Sequence, residues 1–269
     1  GYWGMNFVEG ERYILRTIIR TSSDYKGKVT VRLLSSEGKI LSSETLDIIN
    51  GGEWNDVKKT LTAVGHDSKG RLALEFDSPG TVWVDYVSLF PENTFNNRPN
   101  GLRRDVAEML VGLKPAFFRW LGGCVVEGIT LDNRFEWKKT LGDPAARPGE
   151  YSTWGYRCSY GFGYYEMLQF CEDIGAKAMF VCNVGLGCQF RMGDACGEHD
   201  IDFYIDDCLD AIEYALGDES TEWGARRAAD GHPAPFPLQY VEIGNENWGA
   251  EYDRRFDIFY KTIKEKYPH

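Results

Sequence analysis

The sequence predicts an α/β protein in two parts: an antiparallel β-sandwich over residues 1–91, then a parallel α/β sheet over residues 92–269. Two changes of rhythm carry this reading. Up to Phe90 apolar residues alternate with polar ones in short runs cut by turn signals, the period of a half-buried strand. After Pro91 apolar strands alternate with stretches whose apolar residues recur at helical spacing. At 269 residues the chain is long enough to bury a substantial core in one large domain or two smaller ones.

In chain order, the runs YILRTIIR, KVTVRLL, RLALEF and TVWVDYVSLF lie between the turn signals YKG, SEG, NGG and DSPG, and each sends every second side chain toward a core. Leu102, Val106, Met109, Leu110 and Leu113 then share a helical face ahead of a strand at 116–121 (AFFRWL). A long connection, 122–162, carries Trp137, Tyr151, Trp154, Tyr156, Tyr160 and Phe162. Tyr164, Met167, Leu168 and Cys171 mark a helix that Gly175 stops, and a strand follows at 177–183 (KAMFVCN). Past a Gly- and Cys-rich connection, 184–199, a helix opens at Asp200 as N-cap. It carries Ile201, Tyr204, Ile205, Cys208, Ile212 and Leu216 before Gly217. The strand at 238–243 (LQYVEI) precedes a last helix with Phe256, Phe259, Tyr260 and Ile263 on one face, stopped by Pro268. These stripes are expected to be core. Strands buried on both faces and joined through helices imply a parallel sheet, open or closed into a barrel. Three strands cannot close an eight-stranded barrel, so the chain is expected to be incomplete or to form an open sheet.

Forty-one acidic residues against thirty basic ones give a net charge of −11, which disfavours nucleic acid and anionic membrane surfaces as partners. A neutral partner fits better. Eight Trp and fifteen Tyr, many in connections beside acids and amides, suit the C–H faces and hydroxyls of sugars, although core packing accounts for such rings equally well. Seven cysteines form no C-x-x-C pair, and four histidines show no zinc spacing, so neither a metal nor another cofactor is expected. The odd count argues against a full disulfide framework; Cys182, Cys188 and Cys196 are close enough for one bridge. No apolar run of about 18 residues would span a membrane, and no signal peptide opens at Gly1.

In parallel α/β folds the connections leaving the carboxyl ends of strands build the active site. Here those ends are RWLGGC (119–124), VCNVG (181–185) and IGNENWG (243–249). Asn245 and Glu246 are either turn residues or the core of a catalytic site. A glutamate walled by aromatic rings would have its pKa raised by desolvation and could act as a general acid, while an adjacent amide binds a substrate hydroxyl. Arg119 could hold a second carboxylate ionised, as a nucleophile requires, or could sit in a structural ion pair. Glu242 is a rival acid, but its place within the apolar run suits a packed and paired role.

The stretches RPNGLRRDVAEML, FFRWLGGCVVEG, FEWKKTLGDPAARPGEYSTWGY, GYYEMLQFCEDIGA and YVEIGNENWGAEY, in that order, resemble glycoside hydrolase family 51, the α-L-arabinofuranosidases. GYWGMNFVEGERYILRTIIR resembles the carbohydrate-binding-like, jelly-roll-like sandwich that some members insert after their first barrel strand. The resemblance implies part of a (β/α)8 TIM barrel. It also implies a retaining enzyme that removes terminal arabinofuranose from arabinoxylan, arabinan or oligosaccharides, outside the cell or in the periplasm. Glu246 would be the acid/base, Asn245 a sugar ligand, Arg119 a neighbour of the nucleophile and Cys124 a lining residue of the arabinose subsite. Glu127, Asn183 and Trp248 are expected at the rim or pocket. Leu121 stands where members usually have proline. The family's nucleophile, a glutamate on a later strand, has no match before His269, and the first barrel strand would precede Gly1. The chain is therefore expected to be cut at both ends, inactive alone, and partnered by the rest of its barrel. The alternatives are another retaining barrel glycanase and a non-catalytic carbohydrate-binding fragment.

Overall fold

A computed structural model describes residues 3–268, which form two compact units dividing between Gly112 and Leu113. The first unit holds β1 (Met5–Phe7), β2 (Arg12–Thr21), β3 (Val29–Leu34), β4 (Ile40–Thr45), β5 (Trp54–Thr62), β6 (Asp67–Phe76) and β7 (Val82–Pro91). They pair antiparallel into two sheets, of order β1-β6-β3-β4 and β5-β2-β7. Alternation along β2 sends Tyr13, Leu15, Thr17, Ile19 and Thr21 inward. Tyr13, Leu15 and Ile19 meet Phe7, Val29, Val31, Leu33 and Leu41 of the facing sheet in one apolar core, so residues 5–91 are a sandwich. Beyond it lies α1 (Arg104–Gly112), where only Ala107 is buried. The stripe expected to be core is instead largely bare, with Val106 and Met109 exposed.

The second unit contains β8 (Phe117–Trp120), the single turn α2 (Cys124–Glu127), a short hairpin of β9 (Glu150–Tyr151) and β10 (Arg157–Cys158), α3 (Tyr164–Ile174), β11 (Lys177–Cys182), α4 (Ile201–Leu216), α5 (Glu222–Ala229), β12 (Leu238–Ile243) and α6 (Ala250–Lys266). β8, β11 and β12 form a parallel sheet of order β12-β11-β8. Only the central β11 has the burial expected of a strand covered on both faces. β8 and β12 are paired along one side and remain half exposed. Met167, Leu168 and Cys171 of α3, and Ile205, Cys208 and Ile212 of α4, pack with Ala178, Phe180 and Cys182 of β11.

Helix ends follow mostly from local chemistry. Gly175 closes α3 in the left-handed conformation, at φ 70°, that only glycine adopts without steric cost. At the other end of α3 Glu166 reaches back to the Gly163 N–H at 2.8 Å. Asp200 occupies the N-cap position of α4, but its side chain accepts no helix N–H; a 3₁₀ turn over Glu198–Asp200 leads into the helix instead. α5 was not anticipated, because EWGARRAA has no apolar stripe; Thr221 caps it and the wholly buried Arg227 donates to the carbonyls of Tyr214, His232 and Pro233. On α6 Phe259 is buried whereas Phe256 and Tyr260 are exposed and stacked on each other, so that stripe is only partly core. No helix among the described residues is long and apolar enough to cross a membrane.

Candidate active site at the carboxyl ends of the parallel strands

The strand ends converge on Asn245. β8 places Arg119 so that its guanidinium reaches across β11 to Glu242 of β12, donating from Nε at 2.5 Å and from one terminal nitrogen at 2.6 Å. The fork thus meets the carboxylate bidentately. That terminal nitrogen also donates to Asn245 Oδ1 at 2.7 Å, and the Gly123 N–H fills the second acceptor position of the same oxygen at 2.7 Å. Gly122 makes room for this: a Cβ there would lie 1.8 Å from the Arg119 guanidinium. The amide nitrogen of Asn245 donates to Glu127 Oε2 at 3.3 Å, and the residue is only 2% exposed. A flipped amide would set donors against donors.

Asn247 closes the loop from the other side. Its amide donates to Glu127 Oε1 at 2.9 Å and accepts from the Asn245 N–H at 3.0 Å. Glu127, at the end of α2, is buried, and desolvation raises its pKa against the hydrogen bonds from Cys188, Asn245 and Asn247 that favour the carboxylate; the charge of Glu246 raises it further. Between the two tethered asparagines Glu246 sits at φ 47°, left-handed and non-glycine, with its carboxylate exposed. It makes no hydrogen bond among the described residues. Its charge acts on Arg119 and Glu127. Arg119 spends Nε and one terminal nitrogen on Glu242 and Asn245.

The remaining candidates divide by what they touch. Asn183, at the end of β11, spends its polar groups on backbone: it donates to Val126 O at 2.9 Å and Leu186 O at 3.2 Å and accepts from Gly185 N at 2.6 Å. Trp248 is exposed beside the exposed Phe190, ring centroids 5.0 Å apart, and its backbone exchanges two hydrogen bonds with the Gln189 side chain. Arg191 lies over Trp154 at 5.4 Å, linking this loop to the β9–β10 hairpin, where Tyr151 and Tyr156 are also exposed. Cys124 opens α2, buried, within reach of Cys188 and Glu127. No two of the seven cysteines are bonded. Of the three thought close enough for a bridge, Cys182 faces Cys208, Cys188 faces Cys124 and Cys196 accepts from Arg255. Asn247 and Gln189 were missed in the sequence, where an amide in a connection carries no periodic signal.

Residues 109–269 match the family model described as the alpha-L-arabinofuranosidase 1 domain. The chain is 38% identical to alpha-L-arabinofuranosidase 2 of Arabidopsis thaliana, a match covering 100% of this chain and 39% of that protein. With the extracellular exo-alpha-L-arabinofuranosidase of Streptomyces chartreusis the figures are 35%, 98% and 33%. Among solved structures, arabinose-bound MgGH51 α-L-arabinofuranosidase matches with TM-score 0.93 and 33% identity, over 100% of this chain and 44% of that one. The arabinose complex of the Thermotoga maritima enzyme matches with TM-score 0.51 and 27% identity, over 63% and 33%. The chain therefore spans less than half the length of these relatives.

Proposed function

This chain belongs to the α-L-arabinofuranosidases of glycoside hydrolase family 51, and from that premise we propose that it supplies the acid/base half of a retaining arabinofuranosidase site. The observation that carries the reading is the lattice around Asn245. Arg119 of β8, Gly123 before α2 and Glu127 at its end hold the amide, and the amide holds the turn on which Glu246 is displayed. A proton donor must stand at a fixed position relative to the glycosidic oxygen, and this turn is fixed from three directions. Glu246 protonates the departing oxygen and later takes a proton from the attacking water. The nucleophile, about 5–5.5 Å away in retaining enzymes, comes from outside residues 1–269, on a later strand of a (β/α)8 barrel of which β8, β11 and β12 are part.

In this reading Cys124 and Asn245 border the arabinose, and Trp248 with Phe190 and Trp154 forms an exposed rim against which the rest of an arabinoxylan, arabinan or oligosaccharide chain packs. Residues 1–91 are the sandwich domain and 92–269 the partial barrel. The naming of one relative as extracellular supports an extracellular or periplasmic site of action. The test is Glu246→Ala in the full-length enzyme. Hydrolysis of substrates with alkoxide leaving groups should fall by about 10²–10⁴-fold, while activated aryl arabinofuranosides lose much less and recover further with azide. Equal losses on both, with no azide effect, would remove Glu246 from the acid/base role.

A further inference from the structure

We propose that Cys124, Cys188 and Glu127 form a binding site for a thiophilic divalent cation of the zinc class. The two sulfurs and a carboxylate oxygen all lie within 4.8 Å of one another, and all three residues are buried. Two thiolates and one carboxylate are a ligand set zinc and cadmium accept, and three protein ligands leave a fourth position open. The spacing that was sought in the sequence is absent because the set is assembled in space, from the two ends of α2 and from the connection after β11.

The surroundings are those of a prepared site. Asn245 and Asn247 each donate an amide hydrogen to Glu127, fixing how its carboxylate faces the sulfurs. The Cys188 N–H donates to Gly128 O at 3.3 Å, and the Asn183 side-chain amide donates to Val126 O, so the segments that carry the sulfurs are tied together. Thiophilic cations bind sulfur as thiolate, so a thiol must lose its proton to become a ligand. Binding is therefore an exchange in which each S–H bond gives up a proton to solvent, each thiolate forms a bond to the cation, and no electron is transferred.

Cadmium serves as the probe in the full-length enzyme, freed of reductant. Titration should give an ultraviolet thiolate-to-cadmium charge-transfer band that saturates at one equivalent, with one proton released per thiol, and zinc should displace it. Cys188→Ser should abolish the band. Asn247→Ala, which leaves every ligand in place, should weaken binding by about 10–100-fold. A band that persists in Cys188→Ser would assign the cation to other thiols, such as Cys182 and Cys208, and overturn the proposal. So would the absence of any band in the unaltered protein, or an unchanged affinity in Asn247→Ala. None of these readouts uses glycoside hydrolysis, so failure here leaves the assignment of Glu246 standing, and the reverse.

Discussion

Arg119 and Asn245 act as one device at the residue scale. The guanidinium is committed to Glu242 and to the Asn245 carbonyl oxygen together, so what it governs is the orientation of the amide and, through it, of the turn bearing Glu246. Hydrogen bonds to a charged group contribute about 1.5–3 kcal/mol. If that is lost mainly in the transition state, Arg119→Met in the full-length enzyme should lower kcat by roughly 10–160-fold and leave KM nearly unchanged. Asn245→Ala should act on the same term. Steady-state kinetics of the two single variants and the double variant test this: the double should be little worse than the more damaged single. Additive losses would mean that Arg119 works independently of the amide, and a change confined to KM would make it a sugar ligand.

At the scale of elements the β9–β10 hairpin carries the clearest response to pH. Glu150 of β9 accepts from the Tyr160 hydroxyl at 2.9 Å, its other oxygen is buried without a partner, and desolvation raises its pKa to about 7 from an ordinary 4.5. The folded chain thus prefers the protonated acid and the unfolded chain ionises first. Stability should be undiminished below about pH 4.5, fall as pH rises toward 7, and show no further loss from this group above it. The span corresponds to about 3 kcal/mol at most. Glu150→Gln should flatten this fall, read as the thermal midpoint of each protein from pH 4 to 8. Parallel curves for the two proteins would show that Glu150 is ionised in the fold.

Elements were legible where a period repeats. β2, β11, β12, α3, α4 and α6 stood out because their apolar residues recur at two or at three to four, and Gly175 ends α3 where its backbone freedom is needed. α5 and the β9–β10 hairpin lack such a period, the first being rich in Ala and Arg and the second only two residues a side. The turn bearing Asn245 and Glu246 was visible as a motif, but its supports were not. Glu127 lies 118 positions from Asn245 and Arg119 lies 126 away, distances at which sequence carries no geometric signal. The same blindness hid Cys188 from Cys124.

For the whole molecule, the parallel sheet has two edges, β8 and β12, and exposed rings such as Phe117 and Tyr240 on those strands. Such edges invite pairing with further strands or with other chains. Residues 1–269 purified alone should therefore give no turnover of an aryl arabinofuranoside and should associate as judged by light scattering, and co-production with the remainder of the enzyme should suppress association and restore activity. Robust turnover by the 269-residue chain, with its mass verified, would place the nucleophile within this sequence. A second whole-molecule consequence lies in the left-handed backbone of Glu246. A side chain held in that conformation costs about 1–2 kcal/mol, against a total stability of about 5–15 kcal/mol for a typical domain. With Glu246 as the proposed acid, catalysis and resistance to heat pull in opposite directions at this one position. Glu246→Gly, although it removes the proposed acid, should raise the melting temperature by about 2–4 °C for each kcal/mol released, whereas Glu246→Val should lower it. Differential scanning calorimetry of both variants would reveal whether selection here has kept a reactive group at the expense of thermal endurance.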